Sequence, residues 1–295
     1  MIDFNRTALR NKITSEVLAA IRLKDSSRLD TQLTIATEQY FFEIAENIRG
    51  HKDFLQNNFP GSLQHFNEAI RLNPSFADSH YHKAIALLLM ENYEEAIRTI
   101  DYALQNLFLI NFSNFYVAKG VAFDRLSRLD EAMFCFLRAI EDDENNEQAY
   151  KNSLSIMIRK KASLEILSIS QKIGEKFPKS PDLLNWTSTI LLQQADQSFR
   201  EGNKDLSDNF LQEADKQFHI AVRQDPENST LLYNLACLYS RSSRLQEALD
   251  TLNTAFQKTP SPLEKNRLQG IARTDPDLEN IRKDPRFLQL LNVAP

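Results

Sequence analysis

The feature of this sequence that most constrains its fold is a pattern that recurs about every 34 residues. Proline ends helices because it lacks an amide hydrogen and clashes with the preceding turn. Pro226 and Pro260 lie 34 positions apart, and Pro74 and Pro178 lie 104 apart, which is three such periods plus two residues. A period of this length is typical of a helix–turn–helix unit that is stacked in tandem.

Small and large residues occupy fixed places within this period. A small residue lies in the middle of the predicted first helix of a unit. Two more lie near the start and the end of the second helix, with a bulky apolar residue between them. The small residues of the first helix are Gly50, Ala84, Gly120 and Ala236. Those near the start of the second helix are Ser62, Ala96, Ala132 and Ala248, and those near its end are Ala69, Ala103, Ala139 and Ala255. The bulky residues between them are Phe66, Ile100, Phe136 and Leu252. Packed helix pairs need such small-beside-large contacts, and the spacing is that of helices.

On these residues the chain resembles the tetratricopeptide repeat family over about Glu43 to Pro262. The resemblance implies an all-α fold, a right-handed superhelical α-solenoid of tandem helix–turn–helix repeats with capping helices at both ends. The predicted parts are an N-terminal extension 1–42, units 43–76, 77–110, 113–146, 147–180, an elongated 181–228 and 229–262, and a C-terminal cap 263–295. The fourth unit departs from the pattern, because Leu154, Ile166 and Ile173 stand where small residues are expected.

The unit 181–228 has 48 residues, which is 14 more than the period. We interpret it as two helices that are each about two turns longer than usual. A turn over 201–205 would join them, so that their ends form a projecting spur. In the C-terminal cap, two Asp-Pro pairs predict helix starts at Pro276 and Pro285, since proline suits the first helical turn after an aspartate cap.

The N-terminal extension is predicted to contain a helix over 5–23 and a second helix over 30–56 that merges with the first unit. The first helix has an apolar face, formed by Leu9, Ile13, Val17, Ala20 and Ile21. We interpret this face as a cap on the first repeat. The alternatives are a surface for self-association and a segment that lies in the groove and occludes it.

Composition and motifs disfavour several classes of function. The net charge of −5 and the lack of a concentrated Lys/Arg run disfavour nucleic-acid binding. The sequence has only six glycines and contains no phosphate loop, Gly-x-Ser-x-Gly or His-Glu-x-x-His motif, so we expect no enzyme activity, no catalytic residues and no cofactor. It has no signal peptide and no apolar stretch that approaches about 18 residues, so we expect a cytoplasmic protein without membrane insertion.

The cysteines and histidines show no spacing typical of a metal site. Cys135 and Cys237 lie in apolar helical patterns, and we interpret them as buried residues in a reducing compartment. Among the histidines, only His51 and His82 are placed to meet in the groove, and the pattern requires no carboxylate beside them. The sequence analysis therefore predicts no metal site.

In this family, ligands usually lie along the wall formed by the first helix of each unit. The resemblance places on this wall Asn47, His51, Tyr81, His82, Ile85, Leu89, Val117, Val121, Arg125, Lys151, Asn152, Arg159, Tyr233, Asn234 and Arg241. Along the chain these residues change from apolar to polar and basic. This gradient favours a peptide or helix with an apolar anchor and an acidic or carboxylate end. Alternatively, part of the apolar wall is filled internally, for example by the N-terminal helix.

Some members of the family grip the EEVD tails of heat-shock chaperones with a two-carboxylate clamp of Lys, Asn and Arg side chains. The matching positions here are Asn47, His51, His82, Asn114 and Ala118, and most of them depart from the clamp. Binding of a chaperone tail is therefore not expected.

The sequence thus predicts a non-catalytic scaffold or adaptor that binds a peptide or helix of a partner protein in the groove. The alternatives are a structural module that forms a homo-oligomer through the N-terminal helix or the 181–228 spur, and a regulatory or secretion-type chaperone.

Overall fold

The structure, a computed structural model, describes residues 4–39, 41–107 and 111–291. Regular secondary structure in these ranges is entirely helical, which confirms the predicted all-α class. The helices are α1 Phe4–Leu23, α2 Ser26–Glu38, α3 Phe42–Leu55, α4 Phe59–Leu72, α5 Ala77–Leu89, α6 Tyr93–Asn106, α7 Ser113–Arg125, α8 Leu129–Asp142, α9 Glu147–Arg159, α10 Ser163–Lys176, α11 Pro181–Arg200, α12 Lys204–Gln224, α13 Ser229–Arg241, α14 Leu245–Gln257, α15 Pro262–Ala272, a 3₁₀ helix Pro276–Ile281 and α16 Pro285–Leu290.

The hairpins α1–α2 to α13–α14 share one turn conformation. In each, one residue of the turn has a left-handed backbone with φ between 53° and 80°: Lys24, Asn57, Glu91, Ser127, Lys161, Gly202 and Ser243. This conformation commonly ends a helix, but residues other than glycine adopt it rarely. Lys24 lies 33 positions before Asn57, which is close to the repeat period. The pair α1–α2 is therefore closed by the same turn as the repeats that follow it.

The predicted continuous helix over 30–56 is wrong, because α2 ends at Glu38 and α3 begins at Phe42. The break allows α3 to fold back beside α2 and to bury Phe41, which is 5% exposed and whose amide donates to the carbonyl of Ala36. In a continuous straight helix, the ring of Phe41 would not be buried in this way. The sequence has no proline or glycine at the break, so its helical pattern shows no interruption there.

By its internal contacts the chain divides into two compact units, Met1–Ile156 and Met157–Pro295, here called unit 1 and unit 2. In unit 1, the predicted apolar face of α1 lies inside the core. Ile13, Val17 and Ala20 are buried in one cluster with Leu29, Ala36, Phe41, Ile44, Ala45 and Ile48, and Leu9 and Ile21 pack against it. Burying a large aliphatic side chain contributes about 1.5–3 kcal/mol, so this face holds α1 against α2 and α3.

Close packing at small residues joins the two helices of a hairpin in unit 1. A Cβ atom added to Gly50 of α3 would lie 2.5 Å from Cε1 of Phe66 in α4, and one added to Gly120 would lie 2.5 Å from Cε1 of Phe136. Both phenylalanine rings are almost fully buried. The small-beside-large contacts predicted from the sequence are thus present at these two hairpins.

Unit 2 contains the elongated pair. Helices α11 and α12 have 20 and 21 residues, whereas α13 and α14 have 13 each. Gly202 supplies the left-handed turn with φ 80°, and Oδ1 of Asn203 accepts a hydrogen bond from the amide of Leu206 to cap α12. Near the end of α11, Asp196 forms an ion pair with Arg241 of α13, which ties this part of the elongated pair to its neighbour.

Aspartate caps begin the short helices near the C-terminus, as the Asp-Pro pairs predict. Oδ1 of Asp275 accepts from the amide of Asp277, and Oδ1 of Asp284 accepts from the amide of Arg286. The 3₁₀ helix that follows Asp275 packs on α13.

The glycine–phenylalanine contact generates a test. Gly50→Ala is expected to lower the stability of unit 1 by about 1–3 kcal/mol, because a methyl group must be forced against a buried ring. Gly270→Ala is the control, since nothing lies within 4 Å of its added Cβ, and alanine in a helix is favoured by up to about 1 kcal/mol. Thermal melts followed by circular dichroism compare the two. A Gly50→Ala chain as stable as wild type would contradict the packing described here.

Candidate functional site

The first helices of two consecutive hairpins, α5 and α7, form a cavity of about 220 Å³ in unit 1, here called the apolar pocket. Its lining residues are Tyr81, Ile85, Leu88, Leu89, Tyr93, Val117, Ala118, Val121 and Arg125. Six of these, Tyr81, Ile85, Leu89, Val117, Val121 and Arg125, were placed on the groove wall from the sequence. The repeat pattern does not place Leu88, Tyr93 and Ala118 on this wall, although Leu88 lies three residues after Ile85 and thus on a neighbouring part of the helix surface.

The wall of the apolar pocket is anchored in the core of unit 1. Tyr81, Ile85 and Leu88 pack against one buried cluster, and Val117 and Val121 pack against another. The ring of Tyr81 also contacts the edge of Phe115, with 5.5 Å between the centroids. Side chains held in this way lose little freedom when a ligand binds.

The polar groups at the apolar pocket include the phenol of Tyr81 and the guanidinium of Arg125. Burial, together with the charge of Asp78, raises the pKa of Tyr81, so its phenol stays protonated at neutral pH. The side chain of Arg125 is exposed, and among the described residues no carboxylate pairs with it. The arrangement can therefore receive an apolar group while a guanidinium beside it faces solvent.

A polar cluster lies next to this wall, formed by His51 of α3 with Asp78 and His82 of α5. Nε2 of His51 is 3.4 Å from Oδ2 of Asp78, and Nδ1 of His82 is 3.3 Å from Oδ1 of the same carboxylate. The two imidazole rings meet edge to face, with centroids 4.1 Å apart. The repeat pattern does not indicate Asp78, although its position four residues before His82 on one helix is a usable signal.

The charge state of this cluster follows from burial and from its one carboxylate. Burial, and then the nearby His82, lower the pKa of His51 to about 4, so His51 is neutral at pH 7. Burial alone would lower the pKa of His82, but the charge of Asp78 and the hydrogen bonds to it raise that pKa above its ordinary value. Burial would raise the pKa of Asp78, but the two histidines outweigh it and hold the pKa well below its usual range.

Two of the predicted groove residues lie inside unit 1 rather than on its surface. Asn47 and His51 are each 1% exposed. Nδ2 of Asn47 donates to Oγ of Ser79 at 2.9 Å, which joins α3 to α5. These two side chains connect consecutive hairpins.

On α9, Lys151 pairs with Glu147 at 2.5 Å. Oδ1 of Asn152 accepts from Gln148 at 2.8 Å, while Nδ2 of Asn152 is buried and finds no partner among the described residues. Arg159, the last residue of α9, lies in unit 2 and is exposed.

In unit 2, the chain itself covers the predicted wall of the last hairpin. The hydroxyl of Tyr233 donates to Oδ2 of Asp275 at 2.7 Å, and Arg241 bonds to Oδ1 of Asp277 at 2.7 Å. Both aspartates belong to the segment that begins the 3₁₀ helix. Asn234 donates to Oδ1 of Asn185 at 2.9 Å. Tyr233 and Arg241 are therefore already bonded to another part of unit 2.

Among the residues that the structure describes, two groups of three side chains have donor atoms within 4.8 Å of one another and so resemble metal ligand sets: His51, Asp78 and His82, and Cys237, Asp275 and Asp277. In the second group, both carboxylates already bind Tyr233 or Arg241. Burial and the two carboxylates also raise the pKa of the Cys237 thiol well above its usual value, which disfavours the thiolate that a metal needs.

The ion pairs of Arg241 generate a test in unit 2. Arg241→Gln is expected to lower the free energy of unfolding by about 1–3 kcal/mol, because it removes a guanidinium that is 13% exposed and pairs with both Asp196 and Asp277. Burial raises the pKa of Asp277, against the effect of Arg241. The single tryptophan, Trp186, lies in unit 2 and reports its unfolding in urea by fluorescence.

The control for that test is Arg200→Gln. Arg200 pairs with Asp196, as Arg241 does, but its side chain is 77% exposed. Exposed pairs contribute about 0–1 kcal/mol, so this variant should unfold almost as wild type does. Equal losses in both variants would contradict the structural role assigned to Arg241.

Among the described helices, none combines the length and the apolar character that crossing a bilayer requires.

Comparisons with known proteins agree with the helical hairpins. A family model described as TPR repeat matches residues 50–91, and two described as tetratricopeptide repeat match residues 113–146 and 199–261. The match at 113–146 coincides with the third unit predicted from the sequence. The crystal structure of the APC/C hetero-tetramer Cut9–Hcn1 has a TM-score of 0.51 at 10% identity, over 85% of this chain and 47% of that chain, and this likeness concerns the fold alone.

Two curated relatives are similar in sequence. The Hsp70-Hsp90 organising protein of Plasmodium falciparum is 24% identical over 183 residues, which are 60% of this chain and 28% of that protein. Stress-induced-phosphoprotein 1 of Caenorhabditis elegans is 23% identical over 219 residues, which are 72% of this chain and 62% of that protein. The chain thus spans less than two thirds of the length of either relative. The periodic small residues, the paired helices and the three matched segments together identify the chain as a tetratricopeptide repeat protein.

Proposed function

We propose that this chain is a non-catalytic scaffold that binds a partner protein by taking an apolar side chain of a peptide or helix into the apolar pocket of unit 1. The observation that carries the proposal is that six groove positions from two consecutive first helices converge on one cavity. The pocket has about 220 Å³, below the roughly 300–1,000 Å³ of sites for small molecules. This volume favours a side-chain anchor over a free metabolite.

The chemistry of the apolar pocket defines the partner further. Burial of one large apolar side chain contributes about 1.5–3 kcal/mol, so the anchor supplies much of the affinity. A carboxylate of the partner beside Arg125 adds less, about 0–1 kcal/mol at an exposed site, but it fixes the direction of the peptide. The proposed ligand is therefore a segment with an aliphatic or aromatic anchor and a nearby acidic residue.

The names of the two relatives refer to Hsp70 and Hsp90 or to stress. For this chain we do not propose a chaperone tail as the ligand. Asn47 and His51 occupy clamp positions but are buried and bonded within unit 1, to Ser79 and Asp78. Buried side chains that already have partners are poorly placed to grip a carboxylate.

Self-association through the N-terminal helix is less favoured than partner binding. The apolar face of α1 is buried in the core of unit 1, so it is not available to a second copy. The two cysteines are free and buried, which fits the cytoplasmic location that we propose.

A peptide library displayed on phage and selected on the full chain tests the proposal. Selected peptides are expected to share an apolar anchor with an acidic residue close to it. Their affinity, measured by fluorescence anisotropy, should fall by about tenfold or more, 1.4 kcal/mol, in Leu89→Glu, because a carboxylate then lies on the wall of the apolar pocket. Arg125→Gln should weaken binding by a smaller factor and reduce its dependence on salt.

The matched control is Leu263→Glu, which places the same charge at a leucine that is 76% exposed in unit 2. This variant should bind the selected peptides as wild type does. Light scattering of the full chain, measured alongside, identifies any homo-oligomer. A failure to select peptides, or equal binding by Leu89→Glu and wild type, would contradict the proposed function.

A further inference from the structure

We propose that unit 1 contains a zinc-binding site formed by His51, Asp78 and His82. The site would be separate from the proposed peptide ligand and would join the second hairpin, through α3, to the third, through α5. The sequence pattern predicts no metal site because it requires no carboxylate beside the two histidines. Asp78 supplies that carboxylate.

The distances in the cluster suit a small tetrahedral ion. Zinc binds histidine nitrogen and carboxylate oxygen at about 2.0–2.2 Å, so neighbouring ligand atoms in a tetrahedral site lie about 3.3–3.5 Å apart. Nε2 of His51 is 3.4 Å from one Asp78 oxygen, and Nδ1 of His82 is 3.3 Å from the other. Donor atoms of all three residues lie within 4.8 Å of one another. Bringing them around one ion requires side-chain movements and the loss of the hydrogen bond from Nδ1 of His82 to the carbonyl oxygen of Asp78.

The choice of ligands selects the metal. Two imidazoles with one carboxylate suit zinc and similar transition metals, whereas magnesium and calcium prefer oxygen ligands alone. Three protein ligands leave a fourth position for water. Asp78 and His82 have side chains 20% and 15% exposed, so an ion can reach them from solvent, while His51, at 1%, lies behind them.

The hydrogen bonds of the cluster define what zinc must displace. Nδ1 of His82 donates to the carbonyl oxygen of Asp78 at 2.8 Å. Zinc binding at Nδ1 breaks this hydrogen bond, and the neutral ring then carries its proton on Nε2. The rings of Phe66 and His51 also contact each other edge to face, with 5.3 Å between their centroids.

The chain contains a matched control for this site. His219 of unit 2 repeats the local arrangement of His82, because its Nδ1 lies 2.8 Å from the carbonyl oxygen of Asp215 and 3.6 Å from the carboxylate of the same residue. Among the described residues, no second histidine or cysteine completes a three-ligand group there. A histidine and an aspartate spaced i, i+4 on one helix are thus present in both units, but the third ligand is present only in unit 1.

Calorimetric titration of the full chain with zinc chloride, after dialysis against a chelator, tests the proposal. Wild type is expected to bind one zinc ion per chain. Asp78→Asn and His51→Gln should each weaken this binding by about tenfold or more, 1.4 kcal/mol, and His219→Gln should leave it unchanged. Circular dichroism establishes that each variant is folded.

A measurement on wild type alone keeps the proposal testable if a variant fails to fold. Cobalt(II) added to the full chain should give the intense visible absorption of a tetrahedral site at one equivalent, and zinc should abolish it. The absence of zinc binding at one equivalent would overturn the proposal. So would an octahedral cobalt spectrum, or an equal loss of binding in His219→Gln and Asp78→Asn.

Discussion

The contact on which the rest of the structure depends is the close approach of the two helices of a hairpin at a small residue. At Gly50 and Gly120 the partner phenylalanine ring occupies the space where a Cβ would lie. This contact turns one face of the first helix toward its partner helix and leaves another face for the next hairpin and for solvent. In unit 1, that remaining face carries both the apolar pocket and the polar cluster around Asp78, and the first of these carries the proposed function.

Most of the fold could be predicted because its signals are local and periodic. The Asp-Pro pairs and the turn at Gly202 act within a few positions of the chain. The small residues act over a longer distance, as Gly50 does on Phe66, but they recur at the repeat period, so the pattern indicates them directly. The break before Phe42 could not be predicted in the same way. It depends on the burial of Phe41 against residues brought in by other helices, and no proline or glycine marks it.

The residues of the candidate site could likewise be predicted only in part. Residues such as Ile85 and Val121 could be placed together because the repeat register puts equivalent positions of consecutive first helices side by side. The roles of Asn47, His51 and Tyr233 could not be predicted, because their partners Ser79, Asp78 and Asp275 lie 27 to 42 positions away along the chain. A polar residue at a groove position is available to a ligand only if no such partner reaches it.

The proposed function requires that a partner's anchor side chain binds in the apolar pocket of unit 1. The most direct measurement is methyl NMR of the full chain, labelled at Ile, Leu and Val, during titration with a peptide selected on it. Resonances of Ile85, Leu88, Leu89, Val117 and Val121 are expected to shift together and to saturate with one affinity, while those of Leu164 and Leu263 in unit 2 do not move. Saturating shifts confined to unit 2, with the pocket methyl groups unchanged, would contradict the proposed function.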